Sequence, residues 1–434
     1  FIHINTNRPS GRFFIGFSYF YISPMRILFV HQNFPGQFKH LAPALVEHGH
    51  DVRALGLNTN IPHTWLGVHY HSYSIPNPPP PTKHPWLSDF EPKVIRGEAC
   101  YVACSKLNDD GFIPDLIIAH YGWGESMFLK DLWPTSKLAI YCEFYYRHKD
   151  CDIDFDPEFS SSQLSDPRRI RIKNLNNLIH FNIADAGLSP TAWQSASFPD
   201  CFRSKITVIH DGINTNALTP DDSVQLTLSS GTILSSTNEV ITFVNRNLEP
   251  YRGYHTFMRC LPFILKSRPD AHVVIIGGDG VSYGSAPPQG SWKAIFASEV
   301  KASLTDSEWS RIHFMGNIPY NHYVSILRIS SVHVYLTYPF VLSWSLLEAM
   351  SIGCSIVASD TPPLHECIFH NETGILTSFF DHQKLAENIS FLLDNPDIRT
   401  KLGKNARQFA CENYDLTSVC LPKQISWVNS LLNL

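Results

Sequence analysis

The chain has 434 residues, 44% of them hydrophobic and 17% charged, a balance that excludes a disordered chain and provides for two ordinary domains. The formal net charge of −5 excludes broad nucleic-acid binding, so any anionic ligand must meet a local basic pocket. The ten cysteines include no CxxC pair and predict neither a zinc site nor a disulfide framework.

Cys142, Cys260 and Cys354 sit in apolar stretches and read as small buried hydrophobes, which fits a reducing, cytoplasmic setting. Two glycosylation-like triplets begin at Asn371 and Asn388; such triplets arise by chance and leave that reading in place. Residues 13–22 form a short aromatic run, too short to span a bilayer and without a cleavage signature. Met25 opens a convincing domain start, so residues 1–24 are expected outside the fold, with a weak membrane anchor as the alternative.

Ile27–Val30 predicts a buried parallel strand. Phe38, Leu41, Ala42, Leu45 and Val46 then recur at helical spacing, Gly49 closes that helix, and Val52–Leu55 supplies the next strand. This βαβ unit predicts a doubly wound parallel sheet. Pro78–Pro81 predicts an exposed polyproline connection, a rigid loop rather than a partner-binding motif. Leu116–Ala119, ending at His120, and Leu138–Cys142 add further strands.

Residues 219–239, rich in Ser, Thr and Asp, predict an interdomain linker. A second βα series begins at Val240–Val244. A helix comes next around Phe257–Leu265, bent at Pro262, then strands at Val273–Ile276, His313–Phe314, Val332–Leu336 and Ser355–Ala358, with helices over Leu346–Ile352 and 382–393. The fold class is therefore α/β, with two facing Rossmann-like domains of similar size at 25–218 and 240–410. The cleft between them is the expected site.

The segment Ser343-Trp344-Ser345-Leu346-Leu347-Glu348 opens a helix at a βα junction. Its free backbone N–H groups and positive dipole end suit a phosphate, with Ser343 as cap and Glu348 within reach of a ribose hydroxyl. Alone, it is also consistent with an ordinary capped helix carrying a solvated glutamate. Arg246 and Arg252 follow the Val240–Val244 strand at the carboxyl edge of the sheet, where open α/β sheets bind ligands. Guanidinium forks suit a diphosphate, although two loop arginines are commonly just solvated. The loop Gly277–Gly284, with Gly278, lets backbone approach a phosphate or sugar, but it misses the dinucleotide fingerprint, and a dehydrogenase is rejected.

His120, at a strand end, is a candidate to bond a sugar hydroxyl or orient reacting groups, against the common alternative of a structural histidine. In His365-Glu366-Cys367-Ile368-Phe369-His370 the second histidine falls one residue late for a zinc site, so metal is rejected; Glu366 is expected to point into the cleft.

Taken in order from Met25 to about Tyr414, these motifs resemble the retaining glycosyltransferases of family 4, which have the GT-B fold. The resemblance implies an opening strand followed by an acceptor-side glycine loop at Pro35-Gly36-Gln37, and a strand-end histidine near the donor sugar at His120. His210-Asp211-Gly212-Ile213-Asn214 is similar to the segment before the linker. Val244-Asn245-Arg246 with Arg252-Gly253 is similar to the pair of basic residues that hold a donor diphosphate. The resemblance further implies base recognition by backbone at Phe314-Met315-Gly316-Asn317-Ile318, and a diphosphate turn at Ser343, Trp344 and Ser345. Glu348 matches the second of two paired glutamates, while Phe340 stands where the first falls, a departure that bears on mechanism.

Such a resemblance implies a retaining, metal-independent glycosyltransferase with no cofactor. It would take a UDP- or GDP-type nucleotide sugar and a glycan, lipid-linked or small-molecule acceptor. A lipid acceptor would bring peripheral attachment to the inner face of the membrane. Residues 411–434 are expected to cross back to the first domain. A nucleotide-sugar epimerase or hydrolase, and a non-catalytic sugar-nucleotide or glycan-binding protein, are the competing classes.

Overall fold

The computed structural model describes residues 24–75, 84–149, 151–161, 165–228 and 230–433. The aromatic run at 13–22 and the polyproline run at Pro78–Pro81 lie outside the described residues.

The first sheet has eight strands: β1 (Arg26–Val30), β2 (Asp51–Gly56), β3 (Thr64–Trp65), β4 (Val68–Ser72), β5 (Leu116–Ala119), β6 (Lys137–Tyr141), β7 (Ala186–Ser189) and β8 (Ile206–Val208). Their order is β3-β4-β2-β1-β5-β6-β7-β8, and every pairing is parallel except the edge hairpin β3–β4. The central strands are buried on both faces, which is why they are continuous apolar runs rather than alternating ones.

Residues 219–239 are more than a linker. They form an antiparallel hairpin, β9 (Gln225–Thr227) and β10 (Ile233–Ser235), pinned because Leu228 and Leu234 bury in the second domain's core. The second sheet is parallel throughout, in the order β13-β12-β11-β14-β15-β16. Its strands are β11 (Val240–Asn247), β12 (His272–Gly278), β13 (Ile312–Gly316), β14 (Val332–Tyr335), β15 (Ile356–Ser359) and β16 (Ile375–Thr377). The helix Tyr254–Ser267 runs through Pro262 as one element, holding Phe257, Cys260, Leu261 and Ile264 in the core.

The long helix Pro396–Tyr414 packs on the second domain, and the chain then turns through a π-helical segment, Leu416–Cys420, capped by Asp415. The last helix, Leu421–Leu432, lies on the first domain, where Trp427, Val428 and Leu432 join the core of Ile27 and Phe29. Among the described residues no helix is long and apolar enough to cross a membrane. All ten cysteines are free thiols.

Strand order fixes where a ligand can sit. In the first sheet the order reverses between β1 and β5; in the second it reverses between β11 and β14. Crevices open beyond the carboxyl ends of such strand pairs. Here the two crevices face each other across the interdomain cleft: residues after β1, β6, β7 and β8 line one wall, and residues after β11 and β14 the other.

Candidate active site

The β11 strand loses register with β12 between Val244 and Asn247. Such a bulge re-aims side chains, and Arg246, inside it, is exposed to the cleft. Arg252 is held quite differently. It is only 4% exposed, donates to Thr337 Oγ1 (2.8 Å) and Tyr335 Oη (3.3 Å), and lies 5.0 Å from the centre of the Tyr283 ring. A buried guanidinium keeps its charge and is attracted to the ring face. Asn245 ties the two together, its Nδ2 donating to the Arg252 carbonyl at 3.4 Å.

The helix Trp344–Ile352 begins beside these arginines. Ser343 caps it, its Oγ accepting from Ser345 N at 3.3 Å, while Ser343 N donates to Tyr335 Oη at 3.0 Å. Tyr335 therefore touches both the helix start and Arg252. Arg246, Arg252, Asn245, Asn317, Ile318, Ser343, Trp344, Ser345 and Glu348 all line one cavity of about 500 Å³. Glu348 stands at its far end, accepting from Tyr320 Oη (2.7 Å) and Tyr323 Oη (2.8 Å).

Two expected positions contribute from behind. The Gly36 backbone lies against the His31 ring, where a Cβ would come within 2.3 Å of Nε2, and its neighbour Gln37 is the residue that reaches the cleft. Gly278 makes room for Asn247 and Asn317, which would lie 2.8 and 3.0 Å from a Cβ there, and those asparagines line the cavity in its place. The glycine-rich loop is committed as well. Glu249, fully buried, accepts from the backbone N–H groups of Ser282, Tyr283 and Gly284, and Asn247 accepts from Gly280 N. Those amides face side chains rather than open space, so the loop's contribution is to place Tyr283 over Arg252.

Behind the opposite wall His120, only 1% exposed, stacks between Trp123 (4.5 Å) and Tyr141 (5.3 Å), so its ring lines neither cavity of the cleft. Burial pushes its pKa down to about 4, so it is neutral near pH 7. Its Nε2 is 3.7 Å from a carboxylate oxygen of Glu143. Asp211 accepts from Tyr141 Oη (3.0 Å) and from Trp344 Nε1 (2.9 Å), joining the two domains. Glu366 also crosses the cleft, where its carboxylate accepts from the backbone N–H groups of Ala192 and Trp193 and so caps the helix Ala192–Ser197. His365 and His370 turn elsewhere, to Asp360 and to Leu376 N.

A model of the glycosyl transferase family 4 group matches residues 48–218, and one of the glycosyl transferases group 1 matches residues 229–409. The chain belongs to the group 1, family 4-type glycosyltransferases. An uncharacterized glycosyltransferase of Methanocaldococcus jannaschii is 30% identical over 105 residues, 24% of this chain and 27% of that one. The chain thus spans only about a quarter of that relative's length. A D-inositol 3-phosphate glycosyltransferase of Corynebacterium efficiens is 24% identical over 315 residues, 68% of this chain and 67% of its own.

Among solved structures, sucrose-phosphate synthase from Thermosynechococcus elongatus superposes with a TM-score of 0.69 at 18% identity, covering 94% of this chain and 100% of that one. Anabaena HepE in complex with UDP-glucose gives 0.63 at 15% identity, covering 94% and 99%. These likenesses show the GT-B fold of this glycosyltransferase, two facing Rossmann-like domains.

The glycosyltransferase cleft also holds residues that motif reading passed over. Glu143 comes directly after the strand read as Leu138–Cys142, the same strand-end position that singled out His120. Lys39, 5.1 Å from the Trp344 ring, carried no motif signal, and Tyr283 lay in the glycine-rich loop without being singled out.

Burial gives this glycosyltransferase a defined acid sensitivity. It lowers His31 and His333 to about 3, and His120, His180 and His210 to about 4. Below pH 6.5 the unfolded chain therefore binds more protons at these five sites, and stability is lost as pH falls toward 4. Burial works in the opposite sense at Asp211 and Glu125, raised to about 7, and at Glu143 and Asp152, also raised, while it lowers His40 and His313 to about 4 in the same sense as the five histidines. The melting temperature is expected to be lower at pH 5 than at pH 7.5. A higher value at pH 5 would contradict this proton count.

Proposed function

We propose that the chain transfers a sugar, with retention of configuration, from a nucleotide-sugar donor to an acceptor hydroxyl in the interdomain cleft. The observation that carries this reading is the convergence of Arg246, Arg252 and the capped start of the Trp344–Ile352 helix on one cavity at the sheet's switch point. Two guanidinium groups and the positive end of a helix dipole are complementary to a diphosphate. They act where charge grows as the glycosidic bond breaks, so they serve the transition state and take the part a metal ion has elsewhere. Glu348, at the other end of the cavity, is suited to a ribose hydroxyl, and Asn317 and Ile318 to the base.

The donor class is proposed as UDP- or GDP-type; a structural neighbour crystallised with UDP-glucose supports the former. The acceptor class is proposed as a glycan, lipid-linked or small molecule. A second reading, a sugar-nucleotide-binding protein without turnover, is favoured by one feature. Phe340 fills its position with an aromatic cluster, its ring 5.0 Å from Phe144, 5.2 Å from Tyr283 and 5.6 Å from Tyr251. Donor binding, read as a rise in melting temperature with nucleotide-sugar concentration, tests the first half of the proposal. Release of nucleoside diphosphate separates the two readings.

A further inference from the structure

A smaller cavity of about 160 Å³ lies where the two walls of the cleft meet. Arg246, Arg252, Ser343 and Trp344 approach it from the second domain, and Glu143, Asp211 and Gln37 from the first. Arg246 and Arg252 line both this cavity and the larger donor cavity, so a group bonded to a diphosphate held between them has this space beside it. Among the described residues only two carboxylates line it, Glu143 and Asp211. Asp211 is occupied, bonded to Tyr141 and Trp344, and burial raises its pKa to about 7. Glu348 does not line it and is held by two tyrosines.

Glu143 is different. Its side chain keeps 44% exposure to the cleft, and among the described residues it accepts no hydrogen bond. Its backbone is fixed, since Gln194 Nε2 donates to its carbonyl at 2.8 Å. Its neighbour Phe144 packs on Phe340 in a small cluster with Val341, so the strand end that carries Glu143 touches the segment between β14 and the donor helix. Burial raises the Glu143 pKa, while Arg246 and Arg252 both act to lower it, which puts the carboxylate in the field of the same two cations. His120, neutral near pH 7, lies 3.7 Å from it and brings no compensating charge.

Resting on the donor site proposed above, we infer that Glu143 is the carboxylate that faces the transferring sugar and opposes the positive charge that builds on it. In the step, the bond from the sugar's anomeric carbon to the diphosphate oxygen breaks, and its electron pair stays on that oxygen beside Arg246 and Arg252. The acceptor hydroxyl oxygen bonds to the same carbon, and its proton passes to the departing phosphate. Glu143 forms no covalent bond. Its backbone is held before the reaction, at the end of a strand beside the two arginines, so its charge needs little reorganisation to act on the transition state.

The test uses the full chain with UDP-, GDP-, ADP- and TDP-glucose as probe donors, following nucleoside diphosphate release, with UDP binding measured in parallel. Glu143→Gln keeps the shape and removes the charge. It is expected to lower the rate of release by roughly 10²–10³-fold, with UDP affinity within about threefold of wild type. In Glu143→Ala, added formate is expected to restore part of the rate, a response that a merely structural role would not give. A Glu143→Gln rate within about threefold of wild type would overturn the inference, as would equal loss of rate and UDP affinity. Failure of Glu143→Gln alone leaves the transferase reading standing. No release by the wild-type chain from any probe overturns both.

Discussion

Arg246→Ala is expected to weaken nucleotide-sugar binding by roughly 10–150-fold. A charge-assisted hydrogen bond contributes on the order of 1.5–3 kcal/mol, and about 1.4 kcal/mol is a factor of ten. Because Arg246 is exposed in its bulge and lies within no packed layer, the melting temperature without ligand should hardly change. Arg246→Lys should lose less, since it keeps the charge and forfeits only the fork. Titration calorimetry of the three proteins with a nucleoside diphosphate checks this. Equal affinities for wild type and Arg246→Ala would remove Arg246 from the diphosphate site. Arg252 is a poorer first target: its contacts with Thr337 and Tyr335 would leave buried partners behind, mixing binding with stability.

The second large effect concerns how the domains are held. Residues 151–161 leave the first domain and lie on the second. Phe155 packs 5.2 Å from Phe379, Phe159 packs 5.1 Å from His255, and Asp152 accepts from Tyr251 Oη. At the centre the buried Asp156 accepts from Tyr338 Oη at 2.7 Å and meets His255 Nε2 at 3.0 Å. Burial alone would raise the Asp156 pKa, but the hydrogen bonds from His255 and Tyr338 outweigh it and hold the carboxyl below its usual range. That contribution is present above the unfolded-state value and is lost as pH falls through the folded one.

Asp156→Ala leaves two buried polar groups without their partner, at a cost of roughly 2–4 kcal/mol. The melting temperature should fall by on the order of 5–10 °C for a domain of this size. A fall of less than about 1 °C would mean that the segment contributes little to the contact between domains.

Much of the architecture was legible because parallel strands buried on both faces must be short apolar runs. Ile27–Val30, Leu116–Ala119, Val240–Val244 and Val273–Ile276 are all of that kind, and each lies within a strand. The edges were not legible. Ala186–Ser189 has small residues at three of its four positions and Ile206–Val208 is short, so neither carries a readable period. The helix Glu91–Asp109 mixes Gly97, Cys100 and Cys104 on its buried side with charged neighbours, which leaves no apolar stripe to read. The hairpin within 219–239 was hidden by its Ser and Thr content, since Leu228 and Leu234, with partly buried Val224 and Leu226, are its few apolar anchors.

The same division applies to the cleft. Arg246, Arg252, Ser343 and Glu348 were recognisable because each occupies a local pattern: a strand end, a cap, a helix face. Glu143 also follows a strand end and Asp211 lies in a matched segment, but what each of them and Asp156 meets comes from residues far away in the chain. Asp156 is an acidic loop residue until it meets His255 and Tyr338 across the domain boundary. The Gly277–Gly284 loop was open to a phosphate in sequence terms, and only the structure shows its amides taken by Glu249.

Whether the cleft binds a nucleotide sugar without a metal ion is tested by a thermal-shift screen of the chain from Met25. The probes are UDP-, GDP-, ADP- and TDP-sugars, each with and without EDTA. A donor that binds the folded state raises the melting temperature with concentration. At least one nucleotide sugar is expected to do so, EDTA is expected to leave the shift unchanged, and Arg246→Ala is expected to lose it. No shift with any of them, at concentrations far above typical affinities, would contradict the donor site drawn around Arg246, Arg252 and Glu348.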